Sequence, residues 1–357
     1  IVATVSGPII PNLKFFLAGQ ENYVRNRDFR YVTPFEFDSL VTDIHDSRGA
    51  GVPLPGPVRF RENYIPNNWR DAYTVQGTLV YDFHPYKLRF TGSYEWSKLP
   101  IDGSWPSALQ GYFNQKRDRL DETMTGFGNL RFTHIASTTT FYEIGLSYQN
   151  RYFHRYDPDF KDDWTKYVDS AANVAKGYTG FRGYFEGPSA YSTIRSFTFD
   201  NENAPNNTYS KNAQISTGIT ADITSQILKK WEMKAGGRLD LWKTRNLTVG
   251  DISSAMIFLY GKDGHTPRYP AVLTDSLEMD RRIRVAKNEN GTINHYGYDV
   301  DGEKVDDGVD AARKPLFASA YFQNKLEYSD LILNFGLRYE YMNTKNKTFN
   351  DPSNPDF

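Results

Sequence analysis

Alternation of apolar and polar residues constrains this chain more than any other feature. Over residues 73–83 the odd positions are Tyr73, Val75, Gly77, Leu79, Tyr81 and Phe83, and the even ones are Thr74, Gln76, Thr78, Val80 and Asp82. A period of two puts successive side chains on opposite faces, so this run is a strand with one apolar and one mostly polar face. After His84-Pro85 the pattern resumes: Leu88, Phe90, Gly92, Tyr94 and Trp96 stand against Arg89, Thr91, Ser93 and Glu95. Two such runs joined by a tight break make a hairpin.

The unit recurs. Residues 125–133 pair with 140–149 across Ala136-Ser137. The run 213–224 turns near 226–230 and returns through Met233, Ala235, Leu239 and Leu241. Residues 316–328 break at Ser329-Asp330 and return through Leu331, Leu333, Phe335, Leu337, Tyr339 and Tyr341. The opening runs 1–5 and 13–20 flank Ser6-Gly7-Pro8 as a shorter hairpin. This gives about ten strands, most near the ~9–11 residues that cross a bilayer at a tilt. The links between hairpins, 21–69, 98–122, 155–209 and 245–313, far exceed the ~4–6 residues usual in compact domains. Short turns at one end and long polar loops at the other form the pattern of an antiparallel transmembrane β-barrel, with turns in the periplasm and loops outside. The irregular spacing argues against a solenoid or propeller.

Composition supports an all-β membrane reading. Aromatics reach 15% while mean hydropathy is -0.62, which speaks against disorder. No run approaches the ~18 apolar residues of a spanning helix. Lys and Arg number 42 against 43 Asp and Glu, so no charge excess calls for nucleic acid. Cysteine is absent, which removes disulfides, thiol catalysis and thiolate metal sites. The aromatics also sort by depth. Tyr81, Phe83, Trp231 and Tyr328 adjoin the short turns; Tyr94, Trp96, Tyr148, Tyr339 and Tyr341 lie toward the long loops. Two such levels match the interfacial girdles of a membrane barrel. A soluble antiparallel sheet is the competing reading, because strand tips carry Tyr by propensity alone. The loop asymmetry weighs against it, since a sandwich has shorter connections at both ends.

The segment 6–19, SGPIIPNLKFFLAG, resembles the first complete barrel turn of TonB-dependent outer-membrane receptors, closest to the large Bacteroidetes-type members with a carboxypeptidase-regulatory-like N-terminal domain. The segments 318–328, ASAYFQNKLEY, and 331–341, LILNFGLRYEY, are similar to a mid-barrel strand pair of that family. With the hairpin rhythm, the resemblance covers nearly the whole chain. It implies a barrel of roughly 22 strands with a plugged lumen. It also implies residence in the bacterial outer membrane, contact with its lipid, and import of an extracellular nutrient driven by the TonB energy complex through a plug domain. A surface lipoprotein is allowed as a further partner. On this reading residues 1–357 are a partial barrel domain. Open sheet edges are not tolerated in lipid, so further strands are expected after Phe357 and a plug before Ile1. A passive porin-like barrel and a soluble secreted glycan-binding β-protein are the alternatives.

Catalytic signatures are not found. There is no Gly-x-Ser-x-Gly and no His-Glu-x-x-His, and no enzyme is expected. The six histidines, His45, His84, His134, His154, His265 and His295, are scattered along the chain. One loop gathers carboxylates around glycines: Asp299, Asp301, Glu303 and Asp306 form a candidate Ca²⁺ site, since that ion takes oxygens from turn-rich loops. The spacing is not that of an EF-hand, and no other cofactor is expected. Ligand contact is assigned to loop aromatics: Trp69, Trp105, Tyr112, Phe113, Trp164, Tyr178, Phe181 and Tyr184, with Phe185 beside them. Aromatic anchors on loops held by a rigid scaffold suit binding; the plainer alternative is that they pack the loops together.

Overall fold

A computed structural model describes residues 1–27, 67–101, 114–188, 202–265 and 293–345, together with the backbone of the short strands Phe35–Phe37, Leu40–His45, Gly51–Pro55, Val58–Phe60, Tyr191–Ile194 and Phe197–Asp200. Ten long strands follow one another in a single antiparallel sheet, each paired with the next in chain order. They are β1 (Val2–Ile10), β2 (Leu13–Val24), β3 (Arg70–Phe83), β4 (Tyr86–Pro100), β5 (Leu120–Ile135), β6 (Thr140–Tyr156), β7 (Tyr209–Leu228), β8 (Trp231–Val249), β9 (Leu316–Tyr328) and β10 (Leu331–Asn343). A short strand, Ile293–Tyr296, also pairs with the far end of β8. Among the described residues β1 and β10 are the two edges of the sheet. All five hairpin turns lie at one end and the long connections at the other, as the alternation predicts.

The first turn is a correction. β1 does not stop at Val5 but runs through Ser6-Gly7-Pro8 to Ile10, and the chain reverses at Pro11-Asn12. Among the described residues no strand pairs with the outer side of β1, so the missing N–H of Pro8 costs no ladder bond there. The central strands are also longer than the alternation marks. β5, β6, β7 and β8 have 16, 17, 20 and 19 residues, well beyond the ~9–11 of a single crossing.

Register turns the one-dimensional alternation into two continuous faces. Along one row Phe15, Leu79, Phe90, Leu130, Leu146, Ile219, Leu239, Ala318 and Tyr341 are successive cross-strand partners. One residue away the row reads Lys14, Val80, Arg89, Arg131, Gly145, Thr220, Arg238, Ser319 and Glu340. A one-residue slip of any strand would exchange its faces, so the apolar pattern fixes the register. Leu88, Phe90, Leu333, Phe335 and Leu337 all fall on the apolar face, and Arg89, Glu95, Arg338 and Glu340 on the polar one. The polar face is held by side-chain bonds: Tyr321 donates to Asp222 at 2.7 Å, Thr133 to Glu143 at 2.8 Å, and Arg338 pairs with Glu340 at 2.8 Å.

Near the turns, aromatic rings form a connected band. Tyr81 stacks on Phe83 at 4.6 Å, Phe83 meets Tyr86 at 5.5 Å, and Tyr86 stacks on His134 at 4.6 Å. At the other end Tyr73 meets Trp96 at 5.4 Å.

Glycine is required where polar-face side chains crowd. A Cβ at Gly236 would lie 2.1 Å from Asp222 Oδ1 and 2.9 Å from the Ala221 carbonyl oxygen, whereas one at Gly19 would meet nothing within 4 Å. Gly236→Val is therefore expected to cost ~1–3 kcal/mol through overpacking, and Gly19→Ala to leave stability within ~0.5 kcal/mol. Urea unfolding of the folded protein in detergent checks both.

Candidate functional site

Among the described residues the hydrophobic core is not inside the sheet. It lies at the long-connection end, where Tyr156, Tyr209, Leu247 and Val249 from the strand ends meet Trp164, Tyr167, Val168, Phe185, Ile252, Met256, Ile293, Tyr298 and Val300 from the connections. The strand residues in this core belong to the apolar face: Val249 pairs with Tyr209, and Leu247 with Lys211. The connections thus fold as a lobe over the upper part of the apolar face. Lower on that face Leu146, Leu241 and Tyr148 are open, at 49%, 47% and 47% exposure.

Two short helices build the lobe, in stretches that the alternation leaves as loop. In α1 (Ser170–Ala175) the N-cap Asp169 carboxylate accepts from the Ala172 N–H at 2.7 Å. In α2 (Ile252–Tyr260) Asp251 accepts from the Ser254 N–H at 3.0 Å, and Gly261 follows with φ +72°. An acidic N-cap, an apolar run and a closing glycine are the local signal for α2. Burial of Ile252, Ala255, Met256, Phe258 and Leu259 anchors it.

Arg117 and Asp157 form the centre of the lobe. Both side chains are fully buried and 3.2 Å apart. Arg117 also donates to the Tyr167 carbonyl at 3.1 Å and stacks on the Tyr178 ring at 4.4 Å. Asp157 further accepts from the Asn206 amide at 2.7 Å and the Asp159 N–H at 2.9 Å. A buried pair persists when its remaining polar positions are satisfied in this way. Burial pushes the Tyr167 and Tyr178 hydroxyls well above the usual phenol range, so both stay protonated. Tyr167 accordingly donates to the Lys161 carbonyl, and Tyr178 to Asp159.

Two further carboxylates bind the lobe to the strands. Burial disfavours the charge on Asp162, but hydrogen bonds from Tyr209 at 2.7 Å and Lys211 at 3.1 Å more than offset it and hold the carboxyl below its usual range. Asp306 is also held low, first by Lys243 at 2.7 Å and then by Arg245 at 2.6 Å. Arg245 donates as well to the carbonyls of Gly297 and Val305.

These contacts decide where the sequence-derived candidates lie. Asp306 is engaged by two cations. Asp299 accepts from the backbone N–H groups of Asp301 and Glu303 at 3.0 and 2.9 Å. Asp299, Asp301, Glu303 and Asp306 therefore shape a turn and fasten it to β8, and among the described residues no three such groups converge on a metal position. Trp164 is 2% exposed, and its indole N–H donates to the Val300 carbonyl at 3.2 Å. Trp164, Tyr178 and Phe185 are buried, and their rings pack the lobe. Trp69 is half-buried where β3 begins. Trp105, Tyr112 and Phe113 lie outside the described residues. Tyr184 and Phe181 remain partly open. Tyr184 meets His265 at 5.8 Å, and Phe185 meets Tyr260 at 5.9 Å. Gly264, at φ +72°, is obligatory there because a Cβ would lie 2.4 Å from the Tyr184 ring. Through Phe185, Tyr184 and His265 connect to Tyr260, which adds two residues, Tyr260 and His265, that the sequence does not single out.

No family model matches the sequence, and no curated protein matches it. Solved structures do. The outer membrane transporter YddB from Escherichia coli aligns over 96% of this chain and 33% of its own, at 6% identity and a TM-score of 0.46. The ferric enterobactin receptor PfeA from Pseudomonas aeruginosa covers 96% of this chain and 36% of its own, at 12% identity and 0.45. The FrpB iron transporter from Neisseria meningitidis covers 95% and 38%, at 10% identity and 0.44. The chain thus spans about a third of the length of these structures.

Two outcomes test the lobe. Asp157→Ala leaves Arg117 buried without its partner, and is expected to cost the lobe ~3–5 kcal/mol, read as faster hydrogen exchange across 157–188. The second is a pH dependence. Asp162 and Asp306 have folded-state pKa values below those of the unfolded chain. Their contribution is present above about pH 4 and is lost as pH falls through the lower folded values. Trp164 emission should shift to the red on acidification below that point, and less so in an Asp162→Asn, Asp306→Asn variant.

Proposed function

We infer that this chain is part of an outer-membrane β-barrel receptor that takes up an extracellular nutrient. The observation that carries the reading is the open apolar face. Leu79, Phe90, Ile144, Leu146, Ile219, Leu241, Phe322, Phe335 and Leu337 share it at exposures from 39% to 82%. Soluble proteins rarely leave a contiguous apolar patch above a few hundred Å² uncovered. Lipid is the solvent that such a face suits, and closed barrels are the form in which strands cross a bilayer. The aromatic bands at both strand ends support the same placement.

On this reading the polar face lines the lumen, the five turns face the periplasm and the lobe stands outside. Phe181, Tyr184, Tyr260 and His265 are the proposed contacts for ligand, with Trp69, Trp105, Tyr112 and Phe113 as further candidates. Coupling to the TonB complex and a plug domain are proposed from the sequence resemblance. The names of the similar structures, a transporter, a ferric enterobactin receptor and an iron transporter, accord with uptake. Calcium is not part of the proposal.

Growth measurements test the function. Deleting the gene should abolish growth of the source bacterium on one nutrient class among iron chelates, glycans and peptides, and loss of the energy complex should do the same. Normal growth of the deletion strain on every class would contradict the reading; a loss independent of the energy complex would favour a passive pore. The lipid placement has its own expectation. Phe335→Arg should cost ~2–4 kcal/mol, and Gln149→Arg on the polar face should stay within ~0.5 kcal/mol, both measured by unfolding from lipid vesicles.

A further inference from the structure

Several charges on the polar face are neutralised by a neighbour on the same strand. Arg238 pairs with Asp240, Arg338 with Glu340, Lys325 with Glu327 and Lys234 with Glu232. One place differs. The β4–β5 register sets Arg89 directly opposite Arg131, and like charges in that position repel. Lys14 extends the same row through Val80, and Lys87 lies one step toward the turn. Two acids face this group. Asp82 stands opposite Lys87. Glu143 reaches Arg131 only at 3.9 Å while accepting from Thr133. Among the described residues Arg89 has no acid partner. One pair further from the turns, Thr91 and Asn129 add neutral donors.

We propose that Arg89 and Arg131 form a seat for a small oxyanion on the polar face, with Lys14 and Lys87 as supporting charge. The two Cα atoms of a directly opposed antiparallel pair are about 5 Å apart, so both guanidinium groups can reach one anion. Their planar forks match phosphate or carboxylate oxygens two at a time. A bound anion removes the repulsion that the register imposes. The seat rests on strand register and not on the transport reading, and it is a binding site of a class that reading does not name.

Thermal unfolding of the full-length protein in detergent tests it, with inorganic phosphate or acetate at millimolar concentration against chloride at equal ionic strength. Phosphate, acetate or both should raise the parent midpoint by a few degrees, and the more effective anion identifies the ligand class. The rise should vanish in Arg89→Gln and in Arg131→Gln. In chloride alone Arg89→Gln should be at least as stable as the parent, because it relieves the repulsion, and this also shows that the variant folds. The seat is overturned if neither anion shifts the parent or if the variants shift equally. It is also overturned if Arg89→Gln is less stable than the parent in chloride, which would mean that a fixed acid of the protein already holds Arg89.

Discussion

An apolar sheet face that the described residues cover only at one end is the constraint from which the rest of the structure follows. In a soluble sheet protein, burial of such a face against a second layer supplies most of the folding free energy. Among the described residues the second layer exists only at one end, as the lobe above Tyr209 and Leu247. Below it the same face continues through Leu241, Ile219 and Leu146 without cover. With a period of two, the apolar and polar residues of each strand fall on opposite faces. The luminal chemistry and the membrane surface are thus two consequences of one pattern.

The lobe solves a different problem. Long connections cannot draw stability from lipid, so they need a core and a polar frame of their own. Trp164, Tyr167, Val168 and Val300 supply the core. Arg117 with Asp157, and Arg245 with Asp306, supply the frame by joining segments distant in sequence. A frame of this kind holds partly open rings such as Tyr184 in fixed positions, which favours binding with little ordering cost. It also explains why Asp306, which looks from sequence like an ion ligand, is engaged by Lys243 and Arg245 instead.

Legibility followed the range of the interactions. The hairpins, the two faces and four of the five turns could be read locally, because alternation and turn residues are near-neighbour signals. The first turn could not, because Pro8 reads as a breaker, although β1 runs through it to Ile10. Among loop aromatics the sequence could not separate Trp164, which is buried, from Tyr184, which is partly open, since nothing local fixes which ring meets the core. Arg117 and Asp157 are 40 residues apart, and no local feature announces their pairing. By contrast α2 carried a readable signal in Asp251, its apolar run and Gly261.

Residues 1–357 contain no cysteine, so labels placed among them meet no native thiol in this stretch. Single cysteines placed in turn at Phe90, Leu146 and Phe335, and at Arg89, Gln149 and Arg338, can each carry a fluorophore in the full-length protein reconstituted into vesicles with a lipid-attached quencher. The account predicts strong quenching at the first three positions and weak quenching at the second three. Equal quenching on both faces, or the reverse pattern, would contradict it.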